Sequence, residues 1–129
     1  MTALALTTMI VPDYDEALDF FVDTLGFDVI EDRPLDAGKR WVVVGGKDGG
    51  RLLLARPSNE EQRARIGAQT ADRVGWFLES DNFEGDHDRM TRAGIEFLEP
   101  PRHEDYGTVA VFKDPFGNRW DLIEHKRAS

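Results

Sequence analysis

Apolar residues recur along this chain at two different spacings, and the changes between them mark out secondary structure. Leu4 to Val11 alternates enough to predict a strand. Asp13-Tyr14-Asp15-Glu16 follows, and an Asp placed three residues before a Glu forms a capping box. The Asp accepts a first-turn amide hydrogen while the Glu reaches back to the cap. Tyr14, Leu18, Phe21, Val22 and Leu25 then fall at helical spacing, and Gly26 stops the helix. Residues 27–30, 41–44 and 52–55 read as strands, the last two joined by the glycine-rich turn Gly45 to Gly50. In the second half, 74–79 reads as a strand, and Asp81 with Glu84 caps a helix that ends at Gly94. Strands near 95–98, 108–113 and 119–123 complete the pattern, with Asp114-Pro115-Phe116-Gly117 as a turn.

The two halves are copies. Sliding the chain against itself by 68 positions pairs Asp13 with Asp81, Glu16 with Glu84, Gly26 with Gly94 and Glu31 with Glu99. The same ungapped offset pairs Val43 with Val111, Gly49 with Gly117, Arg51 with Arg119 and Leu54 with Leu122. The prediction is an α+β fold of two β-α-β-β-β modules, residues 1–56 and 73–125, within one domain. Residues 57–72, rich in Glu, Gln, Arg and Ala, form the linker, with room for a helical turn.

Strand parity divides the apolar residues between two faces. Met9, Val11, Leu52, Leu54, Phe77, Trp120 and Leu122 share one, which should pack against the two helices. Leu6, Thr8, Ile10, Leu53, Ala55, Val74, Trp76, Leu78, Asp121 and Ile123 share the other. That second face is also mostly apolar, yet no helix remains to cover it. It calls for a partner subunit, a ligand, or both.

Composition narrows the choice. Cysteine is absent, which excludes disulfides, thiolate metal sites and cysteine nucleophiles. Asp plus Glu number 25 against 16 Lys plus Arg, a net charge of −9, which is the wrong sign for nucleic acid or an anionic membrane. No apolar run suggests a membrane span, and Leu4 to Val11 lacks the basic flank and cleavage site of a signal peptide. The expectation is a cytoplasmic protein whose acidity favours neutral or cationic small ligands.

The opening Val11-Pro12-Asp13-Tyr14-Asp15-Glu16-Ala17-Leu18-Asp19-Phe20-Phe21, with Leu25-Gly26-Phe27, resembles the vicinal oxygen chelate superfamily of glyoxalase I, bleomycin-resistance proteins and extradiol dioxygenases. The closing Asp114-Pro115-Phe116-Gly117-Asn118-Arg119-Trp120-Asp121-Leu122 matches it as well. The resemblance implies paired modules forming a cupped mixed sheet with helices on its outer face, usually in a homodimer. It also implies a divalent metal held in the cup by His, Glu or Gln at the positions of Leu6, Leu53, Val74 and Asp121. Three of those four are aliphatic here, and a stable cation site needs roughly three or four protein donors. The expectation is that the metal centre is lost and no cofactor is bound.

Candidate ligand-binding residues are Thr8, Trp41, Trp76, His103, Tyr106 and Asp121. Asp121 should point into an oily cup, where it either pairs with Arg119 or Arg51, anchors a cationic or hydrogen-bonding ligand, or acts as a general base. Trp76 either stacks on a planar ligand or fills a dimer interface, Trp41 sits near the mouth with ambiguous parity, and Thr8 adds a hydroxyl to the floor. His103 and Tyr106 lie in a proline-bounded loop, 100–107, that is either an exposed connection or a cover over the cup. His87 and His125 read as solvated surface residues. Three functions remain open: a metal-free homodimeric binding protein, a glyoxalase-like lyase or isomerase (metal-dependent or using residual acid–base groups), and a structural dimer.

Overall fold

The computed structural model describes residues 1–46 and 48–126, so Lys47 of the turn Gly45 to Gly50 lies outside the described residues. The chain divides into two compact units, Met1–Ile66 and a second beginning at Gly67. The first contains β1 (Thr7–Ile10), α1 (Tyr14–Leu18), β2 (Asp28–Pro34), β3 (Arg40–Gly45), β4 (Arg51–Ala55) and α2 (Glu60–Arg63). Its sheet has the order β1-β4-β3-β2, with β1 parallel to β4 and the other pairs antiparallel. The second unit contains β5 (Val74–Glu79), α3 (Phe83–Arg92), β6 (Glu96–Phe97), β7 (Arg102–Glu104), β8 (Gly107–Lys113) and β9 (Arg119–His125). Its sheet repeats the scheme as β5-β9-β8-β6, with β5 parallel to β9 and β7 pairing on β8. The fold is thus α+β, and each repeat builds its own mixed sheet.

In the first unit, Asp13 Oδ2 accepts the Glu16 amide hydrogen at 3.0 Å, the cap read from the sequence. The helix then widens into a π-helical stretch over Asp19–Thr24, where the Leu25 amide reaches the Phe20 carbonyl at 2.9 Å. Gly26 ends it in the left-handed region, φ +84°. Phe21 is fully buried between Phe20, edge-on at 5.1 Å, and Phe27, stacked at 5.7 Å. Met9, Val42, Val44 and Leu54 complete this core on one face of the sheet.

In the second unit the core is a run of rings. Trp76 stacks on Trp120, Trp120 on Phe112, and Phe112 meets Phe97, with centroids 5.8, 5.9 and 5.6 Å apart. His87 lies between Phe97 and Phe83 at 4.1 and 5.6 Å. His87 is therefore no solvated surface residue: it is half-buried, and its Nε2 is sealed from solvent without a hydrogen-bond partner. Its position on α3 faces the sheet, where it packs between the two phenyl rings. The Asp114 turn is held by its own carboxylate. Oδ1 accepts the amides of Phe116, Gly117 and Asn118, each at 3.0 Å, and Oδ2 accepts Asn118 Nδ2 at 3.0 Å and Trp120 Nε1 at 3.1 Å.

Four further expectations need correction. The first strand begins at Thr7 rather than Leu4, because only Thr7–Ile10 finds a ladder partner in β4. The second helix is capped by Asn82, not Asp81: Asn82 Oδ1 accepts the Gly85 amide at 3.2 Å. The start is displaced because the Ser80 hydroxyl accepts the Asn82 amide at 2.9 Å and donates to Asp86 at 2.6 Å. Residues 100–107 are not simply a loop. Arg102–Glu104 pairs antiparallel with β8, and Gly107, φ +156°, lets the return strand run against the Glu124 carbonyl where a Cβ would collide.

The fourth correction matters most for function. Val74 pairs with Arg119, but Trp76 pairs with Trp120, so Gly75 is one residue too many in β5. Beyond this bulge every side chain of β5 faces the opposite way from the expectation. Trp76 and Leu78 turn to the α3 side with Trp120 and Leu122, and Phe77 turns away with Asp121, its surface 63% exposed.

Candidate functional site

Ladder register assigns each candidate to a face. In the second unit, Val74 and Arg119, Phe77 and Asp121, and Val111 and Asp121 are partners, so these side chains share the face turned away from α3. Arg102 partners Val109, which partners Ile123, and so joins the same face. His103 partners Thr108, one residue out of phase, and belongs to the opposite face, where its Nδ1 lies 3.4 Å from Thr108 Oγ1. His103 and Trp76 are therefore not brought to Asp121. Tyr106, between β7 and β8, is 52% exposed.

Arg102 organises this face. Its Nε donates to Glu99 Oε1 and Oε2 at 3.0 and 3.1 Å, and its Nη1 donates to Glu104 Oε1 at 3.1 Å. Glu99 Oε2 also accepts the Val111 amide at 3.0 Å, which anchors the group to β8. The Arg102 pKa is raised above the ordinary value, chiefly by the hydrogen bond to Glu99, with burial opposing and Glu104 and Tyr106 adding.

Asp121 stands beside this cluster without joining it. Its Oδ1 is sealed from solvent and has no hydrogen-bond partner, although the residue as a whole is half-buried. The expected pairing with Arg119 does not form, since Arg119 Nη1 donates to the Asp72 carbonyl at 3.0 Å. Arg51 stands on β4, in the first unit. Burial pushes the Asp121 carboxyl above the ordinary carboxylate pKa, the Arg102 charge pulls it back, and the Glu99 charge pushes it up again. Such a carboxylate can accept a ligand's N–H or O–H, balance a cation, or take up a proton.

The first unit presents its own face. Thr8 partners Leu53, which partners Val43, and Trp41 lies two residues along β3, so all four share the face opposite Met9, Val42 and Leu54, with Val43 itself buried. This settles the parity of Trp41, over whose ring the Arg33 guanidinium sits at 5.9 Å.

The metal implied by the resemblance does not fit the residues present. Among the four positions Leu6, Leu53, Val74 and Asp121, only Asp121 offers a lone pair. Among the described residues, no three His, Asp or Glu side chains gather into a group able to hold a cation. Sequence reasoning missed Phe77, Arg102, Glu99 and Glu104. Gly75 within a strand was the signal for Phe77, and the alternating charges at 99, 102 and 104 were the signal for the rest.

The family model described as the Glyoxalase/Bleomycin resistance protein/Dioxygenase superfamily matches residues 3–122. An uncharacterized protein of Shewanella frigidimarina (strain NCIMB 400) is 52% identical over 119 residues, covering 90% of this chain and 88% of the relative. Among solved structures, UcmS2 superposes with a TM-score of 0.80 at 29% identity, covering 95% of this chain and 98% of its own. TnmS3, an antibiotic binding protein from Streptomyces sp. CB03234, superposes with a TM-score of 0.76 at 28% identity, covering 98% of both chains. No helix among the described residues is long and apolar enough to cross a membrane.

Proposed function

The chain belongs to the glyoxalase/bleomycin resistance protein/dioxygenase superfamily, and from that premise we propose that it is a metal-independent, cytoplasmic, homodimeric binding protein for a small, partly aromatic, neutral or cationic molecule. The observation that carries this reading is the face shared by Asp121 and Phe77. It combines a half-buried carboxylate, one oxygen of which is sealed and without a hydrogen-bond partner, with an aromatic side chain left 63% exposed. Aliphatic residues at three of the four metal positions and the net charge of −9 support the same reading. TnmS3, at 28% identity, is a relative that binds an antibiotic. Phe77, Val74, Asp121 and Tyr106 are the contact residues in the second unit, and Thr8 and Trp41 those in the first. A panel of planar aromatic drugs and metabolites tests the proposal by thermal shift. A true ligand at a hundredfold excess over its Kd adds about 2.7 kcal/mol of stability, whereas a panel without effect favours a structural dimer.

A second reading, a glyoxalase-like lyase or isomerase with Asp121 as the base, is favoured by the raised pKa of that carboxyl. Turnover of an α-hydroxycarbonyl substrate by purified protein, abolished in Asp121→Asn, would establish it over simple binding.

A further inference from the structure

We infer that Arg33 is the chain's own occupant of a planar-cation site on Trp41, and that a ligand bearing a flat cation, a pyridinium or an amidinium, displaces it. The inference rests on the binding-protein reading and deepens it by naming the ligand class taken in the first unit. Arg33 and Trp41 are Cα partners across the antiparallel β2–β3 ladder, so both side chains rise from the face that carries Thr8 and Leu53. The guanidinium sits over the indole, 5.9 Å from its centroid, and Arg33 Nε lies 3.5 Å from Glu31 Oε2. Indole and carboxylate together hold a flat cation, and the chain supplies that cation itself.

The neighbouring charges are engaged elsewhere or stand apart. Asp32, between Glu31 and Arg33, points to the opposite face, where Arg40 donates to its two oxygens at 3.2 and 2.8 Å. Arg40 also donates to Asp15 at 2.9 Å. Asp28 and Arg51 share the face of Trp41 but partner Gly45, about 13 Å further along β3. A ligand on the indole therefore meets Arg33 and Glu31 first, and their charges balance. Neither holds the other firmly, since the two side chains are 63% and 50% exposed and an ion pair that open contributes little. The long Arg33 side chain regains rotamer freedom when it leaves the ring, whereas a rigid planar ligand loses little on arriving. A cation keeps the attraction of the indole and of Glu31. A neutral ring keeps only the stacking, and an anion is repelled by Glu31.

Calorimetric titration of the full-length protein with 1-methylnicotinamide and nicotinamide, a planar cation and its neutral counterpart, tests the inference. The cation is expected to bind the more tightly of the two. In Arg33→Gln its affinity should rise about fivefold, the worth of the exposed guanidinium–indole contact that no longer competes. Removing a positive charge also favours any cation from a distance, so the same substitution is made in Trp41→Leu, where the gain should fall below about twofold. If Trp41→Leu does not fold, Trp41→Phe makes the same comparison, because phenyl holds a cation less strongly than indole. An equal gain with and without Trp41 overturns the inference, since Arg33 then acts only through its charge. An unchanged affinity in Arg33→Gln, or no binding of the cation to that variant, overturns it as well. The binding-protein reading survives each of these results while the aromatic panel yields a ligand, and a silent panel removes both.

Discussion

Phe77 and Asp121 are partners across the parallel β5–β9 ladder, and the residue before Phe77, Trp76, stacks on Trp120 at 5.8 Å. Neighbours in sequence thus serve opposite faces, one the core beneath α3 and the other the face that carries the proposed ligand site. The extra residue Gly75 decides which is which.

This division gives a direct mutational contrast. Trp76→Ala removes a ring from the stack with Trp120 and is expected to cost about 2 kcal/mol in stability. Phe77→Ala trims a side chain already 63% exposed and is expected to change stability by no more than about 0.5 kcal/mol, while weakening ligand binding. Urea denaturation of the two variants beside a titration with any thermal-shift ligand measures both effects. If Phe77→Ala proves the costlier for folding, the bulge has been misplaced.

The orphaned carboxylate predicts a pH signature. Because the folded-state pKa of Asp121 lies above its unfolded value, ionising it opposes folding. Its favourable contribution is complete below the unfolded pKa and is lost as pH rises through the folded one. Asp121→Asn cannot ionise, so it is expected to be more stable than the parent at pH 7, by about 1 kcal/mol, the lower end of the cost of an unpaired buried group. The advantage should shrink as pH is lowered through the carboxyl range. Difference Tm curves against pH check this, and an advantage that grows towards acid pH would contradict it.

Asp114 is a structural counterpart to Asp121, a carboxylate with its acceptors filled. It is 4% exposed and receives three backbone amides, the Asn118 amide group and the Trp120 indole. Asp114→Ala leaves several of those donors unpaired beneath the turn and is expected to destabilise by about 3 kcal/mol or more. Loss of near-ultraviolet Trp dichroism at lower urea than in the parent would report it. A change under about 1 kcal/mol would show that the turn is held chiefly by its backbone bonds.

Much of the architecture follows from local rules that this sequence obeys. Asp13 caps its helix as the spacing requires, Gly26 and Gly94 end theirs at positive φ, and Glu60–Arg63 supplies the helical turn in the linker. The 68-residue repeat foretells that both sheets share one strand order, and it maps β3 onto β8 and β4 onto β9. These features depend on residues near one another in sequence, or on a copy whose contacts must be equivalent.

Where the reading failed, the deciding contact was distant in the chain. The ungapped offset pairs Met9 with Phe77, but Met9 faces Leu54 and its counterpart facing Leu122 is Leu78, because a bulge adds a residue to one strand of a pair without altering the alternating pattern on either side. Residues 102–104 pair as a strand only on the edge of β8, and His87 is half-buried through its packing on Phe97 and Phe83. The pairing of Arg102 with Glu99 and Glu104 is likewise invisible to composition. Sequence determined the repeated unit, its caps and the scarcity of metal donors, since each is a matter of residue type and short spacing. Tertiary structure decided which side of each strand meets which partner, since ladder register is fixed by pairing between segments and a shift of one residue reverses every face that follows.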